Sequence, residues 1–214
     1  VLLWTLFGML RHTFFVWPNK GIIMDELASM NMLLRAIGSS PVNSVLTNHP
    51  DAANAKTTLD RIRVASQKRG WWFNIDYDYE LSPAGDFDQI AVTDDIKKIV
   101  FLDANLTKRS GRVYDKRNQT YAFTAPVCVK RSVRMVPWDD MPMSMQLYCA
   151  YLAAAEFVRD ELEDKAKADS FRKDAGMHMF DIKKEDLESG QYNAFNKKRV
   201  SRARRGVRPI HLGY

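Results

Sequence analysis

The side chains best suited to chemistry in this chain are its carboxylates, which gather in three places: Asp76, Asp78 and Glu80, then Asp94-Asp95, then Asp139-Asp140. Glycoside hydrolysis uses two carboxyl groups about 5 to 10 Å apart, flanking a sugar. Asp76, Asp78 and Glu80 alternate with Ile75, Tyr77 and Tyr79, the pattern of the polar face of an amphipathic strand. Asp139-Asp140 precedes a helical pattern, where a carboxylate caps. Solvation and capping therefore account for both groups without catalysis. The four histidines, His12, His49, His178 and His211, show no metal-ligand spacing, and no cysteine lies near them. There is no nucleophile elbow, phosphate loop or dinucleotide fingerprint, so no catalytic, cofactor or metal residue is assigned. Cys128 and Cys149 are two thiols in 214 residues, which is no disulfide framework and suits assembly in a reducing cytoplasm.

A different chemistry is concentrated at the C-terminus. From Asn196 to Tyr214 the chain carries Lys197, Lys198, Arg199, Arg202, Arg204, Arg205 and Arg208 and no acid. The rest of the chain then holds 25 basic against 26 acidic groups, so the net charge of +6 belongs to the tail. Such an appendage binds phosphates or an acidic partner and orders only on doing so, while the body is no nucleic-acid platform. At the other end, Val1 to Trp17 is largely apolar but interrupted by Arg11-His12. It lacks a basic leader and a small-residue cleavage site and is short for a membrane span, so no membrane is assigned. Val1 also fits a valine start codon read literally, with Met24 opening the body of the protein.

The elements that position these groups are legible as periodicities. Met30, Leu33, Leu34 and Ile37 recur at helical spacing and stop at Gly38. A second helix, capped by Asp51 after Pro50, buries Ala55, Leu59, Ile62 and Ala65 or Ser66 and ends in Lys68-Arg69 before Gly70. Trp71-Trp72-Phe73 opens an extended segment, and large aromatics so placed belong to a core. Strands follow over Phe73 to Glu80, Ile96 to Leu102, Gly111 to Tyr114 and Val127 to Val136, with a polar turn at Asp115 to Gln119. Beyond Asp139 or Asp140 as cap, Leu147 or Tyr148, Tyr151, Leu152, Ala155, Val158 and Leu162 make a helical stripe, and Ala168, Phe171, Ala175, Met179 and Ile182 make another. The expected fold is α+β: a four-helix bundle from both chain ends with an inserted small antiparallel β module. Its parts are an apolar extension (1–23), a helical hairpin (24–71), the β module (72–137), a second helical pair (138–192) and the basic tail (193–214).

The ordered words Leu33-Leu-Arg-Ala-Ile-Gly38, Asp51-Ala-Ala-Asn-Ala-Lys56, Leu59-Asp-Arg-Ile-Arg63, Gln67-Lys-Arg-Gly70-Trp-Trp-Phe-Asn74, Val113-Tyr-Asp115 and Trp138-Asp-Asp-Met-Pro142 resemble the tail tubular protein A family of T7-like, short-tailed phages. The resemblance runs from about Asp25 to Tyr192. It implies a structural virion protein, a head-to-tail adaptor ring of twelve copies beneath the portal and above the nozzle (tail tubular protein B), with tail fibre attached nearby and genomic DNA passing through. Under that reading the basic tail is the portal-binding segment. Tyr148, Tyr151, Phe157 and Phe171, more aromatic surface than one stripe holds, are expected at the subunit interface. The alternatives are a carbohydrate-degrading tail enzyme using a carboxylate pair and a free DNA-binding protein acting through Lys197 to Arg208.

Overall fold

The computed structural model describes residues 24–189. The apolar extension before residue 24, the basic tail and the last residues of the second helical pair lie outside them. Four helices and five strands follow one another as α1 (Glu26–Ala36), α2 (Pro50–Gln67), β1 (Ile75–Leu81), β2 (Ile96–Phe101), β3 (Leu106–Arg109), β4 (Arg112–Asp115), β5 (Val127–Arg134), α3 (Met143–Leu162) and α4 (Lys165–Ser189). The class is α+β, with helices from both ends of the described chain and an antiparallel sheet module between them.

Helix α1 begins where the Asp25 carboxylate accepts from the Ala28 amide at 2.6 Å. It ends in a Schellman arrangement: Ser39 N donates to Leu34 O and Gly38 N to Arg35 O, with Gly38 at φ +81°. Helix α2 starts two residues earlier than its sequence suggests. Pro50 opens it, His49 holds the cap position without a side-chain bond, and Asp51 is not the cap. Its carboxylate instead accepts from Ser39 Oγ at 2.9 Å, tying the end of α1 to the start of α2. Asp139 and Asp140 likewise do not cap α3, which begins at Met143 behind Pro142 with no side-chain cap. Both aspartates are exposed in the preceding turn while Trp138 and Met141 point into the core. Asp164 caps α4 through the Lys167 amide at 3.0 Å.

Helix α3 packs against each of the other three helices. That central position explains why its buried surface is wider than one stripe: Met145, Cys149, Ala150, Ala153, Ala154, Ala155, Phe157 and Val158 are all buried. The alanines let neighbouring helix backbones come close on more than one side. Leu162, expected in the stripe, is instead exposed at the helix end.

The sheet has the order β1-β5-β2, antiparallel throughout, with Tyr79 opposite Val129 and Tyr77 opposite Arg131. Strand β1 starts at Ile75, so Trp71 to Phe73 do not extend it; Trp71 turns into the bundle core. Its alternation is also broken, because Asp78 takes φ +48° and leaves Tyr77 exposed. Strand β3, which has no counterpart in the sequence reading, pairs with β4 in a hairpin. Its two-residue turn, Ser110-Gly111, has φ +49° and +71°, the positive pair a tight hairpin of this hand requires. The buried residues form a main core in the helices, a smaller helical cluster of Ala36, Val158 and Ala168, and a core in the module around Ile90, Phe101, Val113 and Val129.

Candidate functional site

A group of buried polar contacts lies where the β module joins the bundle. Gln67, the last residue of α2, is wholly buried. It grips the backbone of Val136 at two points, donating from Nε2 to the carbonyl at 3.1 Å and accepting the amide on Oε1 at 2.9 Å. Asn74 completes the joint. Its Oδ1 accepts from the Trp71 amide at 2.8 Å, and its Nδ2 reaches both the Gln67 carbonyl at 3.1 Å and the Arg134 carbonyl at 3.0 Å. Between them Gly70 has φ +83°, and a methyl group there would stand 2.8 Å from Arg131 Nη2 and 2.9 Å from Val133 Cγ2. Only glycine meets both demands. Trp138, from the far side of the module, donates its indole N–H to the Met24 carbonyl at 2.8 Å and pins the start of the described chain. Neither Gln67 nor Asn74 was singled out by sequence reasoning. The available signal is an amide side chain on each side of a glycine that ends a helix, which periodicity does not register.

Of the four aromatic residues expected at a subunit interface, Phe157 is enclosed, while Tyr148, Tyr151 and Phe171 are each partly buried. Phe157 is only 1% exposed and sits in the bundle core, so it is not available to a neighbour while the subunit keeps this fold. Its place on the inner arc of the central helix is the reason. Tyr148 is half-buried and packs on the same core; burial pushes its hydroxyl pKa up, with the charge of Glu156 adding to it. Tyr151 stacks on His178 with ring centres 5.2 Å apart and lies 6.4 Å from Phe171, so these residues fill the seam between α3 and α4. The tail residues Lys197 to Arg208 lie outside the described residues.

The carboxylates picked out in the sequence lie on several elements. Asp76 and Asp95 both bind Arg134, Asp76 at 3.1 Å, and clamp the ends of β1, β2 and β5 together. A hydrogen bond from Thr93, then the Arg134 guanidinium, holds the Asp95 carboxyl below the usual range. An open depression of about 570 Å³ in the module is lined by Leu102, Leu106, Phe123 and Val127 with Asp103 and Asp115. Both of those carboxylates are occupied with turn amides: Asp103 with Asn105, and Asp115 with Arg117 and Asn118. Among the described residues no group of three or more His, Cys, Asp and Glu is placed to hold a metal ion, and no helix is long and apolar enough to cross a membrane.

Both thiols are shifted toward the protonated form, for different reasons. Burial pushes the Cys149 pKa up to about 12. Local desolvation, then the Glu80 carboxylate 3.7 Å away, raise that of the exposed Cys128. Since the thiolate is the reactive form, a maleimide at neutral pH should modify Cys128 alone, more slowly than free cysteine, and reach Cys149 only after denaturation. Intact-mass spectrometry over time reads this directly; prompt double labelling of the native protein would contradict it.

The described structure is thus an alanine-lined helical bundle with a sheet module fixed to it by buried amides. Residues 27–211 match the family model described as Tail tubular protein, and the chain belongs to that family. It is 26% identical over 188 residues to Tail tubular protein A of Klebsiella phage KP34, a match covering 85% of this chain and 97% of that relative. It is therefore a structural component of a phage tail, located in the virion.

Proposed function

We propose that this chain is a head-to-tail adaptor: copies of it close into a ring that joins the portal to the tail nozzle and surrounds the path of the DNA. The observation supporting this is that several of the words resembling the tail tubular protein A family sit at the joints of the fold. Gly38 ends α1, Gln67, Gly70 and Asn74 fasten the module, and Trp138 and Met141 anchor the entry to α3. A ring subunit works by holding one shape, so that identical heterologous contacts close. The number twelve, the nozzle protein tail tubular protein B and the fibre attachment enter this reading through the resemblance.

The basic segment from Lys197 to Arg208 then serves as the strap to the portal. Its five arginines among seven cations suit forked contacts to carboxylates. A channel that lets DNA slide gains little from a ring of such segments holding phosphates tightly. The test is to mix the full chain, and a chain ending at Asn196, with the portal ring and image both by electron microscopy. The full chain should form a second ring on the portal and the truncated one should fold but fail to attach. Normal attachment of the truncated chain, with only DNA retention impaired, would overturn the portal assignment. A full chain that never forms a ring on the portal would overturn the adaptor.

A further inference from the structure

Helix α4 has two apolar faces, and the fold covers one. Ala168, Ala175 and Ile182, spaced by seven residues, are buried against α3. Half a turn away Met177, Phe180 and Leu187 are 61%, 70% and 56% exposed. Phe180 and Leu187 again differ by seven, and they occupy the heptad position farthest from the packed seam, where a surface helix carries polar groups. The exposed Lys173 and Lys184 share these rows, Lys184 lying 4.0 Å from Glu188, and beside them runs an acidic row, Asp174, Asp181 and Glu188.

We propose that the outward face of α4 docks on the outward face of α2 in a second copy of this chain, forming the repeated seam of the tube. This rests on the ring reading above and names its contact. The direction of the helices supports it. α2 runs antiparallel to α3, because Arg61 reaches Glu156 at 2.8 Å and Asn54 reaches Glu161 at 3.4 Å. α4 also runs antiparallel to α3: only Glu163-Asp164 separates them, and Ser144 donates to Glu185 at 2.7 Å. α2 and α4 therefore point the same way on different sides of α3. In a many-membered ring, adjacent copies differ by a small rotation, so α4 of one copy meets α2 of the next nearly parallel. Ala53, Thr57 and Ala65 on the exposed side of α2, in a row where Arg61 pairs with Glu156, are small enough to receive Met177 and Phe180. At the C-terminal ends, Asp181 and Glu188 come opposite the exposed Lys68 and Arg69. Apolar knobs meet small residues, and acid meets base.

The seam is weak as a single pair. The 25 residues of α4 make a face about 37 Å long and 10–12 Å wide, on the order of 400 Å², about half of the ~800 Å² per partner in a stable complex. Closure of the ring supplies the rest, so the test uses covalent capture. In a full-length Cys128→Ser background, Phe180→Cys combined with Ala65→Cys should give, on mild oxidation at several hundred micromolar or in assembled tails, a ladder of disulfide-linked multimers. Either cysteine alone should give none. Asp181→Lys with Glu188→Lys should cut the ladder about tenfold, and adding Lys68→Glu with Arg69→Glu should restore it. Circular dichroism checks that each variant is folded. Rings or multimers that form regardless of these residues would overturn the seam while leaving the tube reading intact. Absence of self-association both in solution and in tails would overturn both.

Discussion

Phe157→Ala should lower the stability of the isolated subunit by about 3–5 kcal/mol, the usual loss when a core aromatic leaves a cavity. The side chain is 1% exposed on the central helix, within the bundle core. α3 touches every other helix, so the void cannot collapse by moving one neighbour. In a domain of this size the change corresponds to a fall in melting temperature on the order of 10 °C. Phe180→Ala on the outer face of α4 should leave the isolated subunit within about 0.5 kcal/mol of the parent, because that ring is 70% exposed. Thermal melts of the two variants side by side make the distinction. Equal melting temperatures would mean that Phe157 is not the core residue described, and its burial would have to be reassigned.

Gln67→Met should cost about 2–4 kcal/mol although it nearly preserves volume. It removes both bonds to Val136 and leaves that residue's N–H and carbonyl at the joint without their partner, each unsatisfied buried group costing about 1–3 kcal/mol. The effect should also be local. The Val136 amide, protected in the parent by Gln67 Oε1, should exchange with solvent much faster in the variant. The Val129 amide, inside the three-stranded sheet, should keep its protection relative to global stability. A loss below about 0.5 kcal/mol with unchanged exchange at Val136 would show that the amide is not what fastens the module. For a ring subunit this joint matters beyond stability. A module that rocks on its bundle spoils every contact that repeats around the ring.

Helix existence, helix ends at Gly38 and Gly70, the strands near Ile96 and Val127 and the turn after Asp115 were all legible along the chain, because each depends on residues within a few positions of one another. Periodicity exposes an apolar face, and a glycine exposes a left-handed stop. The start signals were less reliable. Asp51 and Asp139-Asp140 have the chemistry of caps, yet in each case a proline opens the helix and the carboxylate lies elsewhere. The family words were legible too, though not their role. Several of them are joints of the fold, and their bonds connect residues far apart in sequence, such as Gln67 to Val136, Trp72 to Asp186 and Trp138 to Met24.

Which aromatic faces inward was decided by tertiary structure. In sequence Phe157 and Phe180 are equivalent, large apolar residues on long helical patterns, and nothing local states which helix will be surrounded. Once α3 takes the centre, an arc wider than one stripe is covered and Phe157 is enclosed. α4 packs along one side only, and the opposite stripe with Phe180 remains in solvent. A single chain specifies periodicity through its own short-range geometry. The number of neighbours each helix acquires, and therefore the surface left over for a second copy, follows only from how all four helices pack.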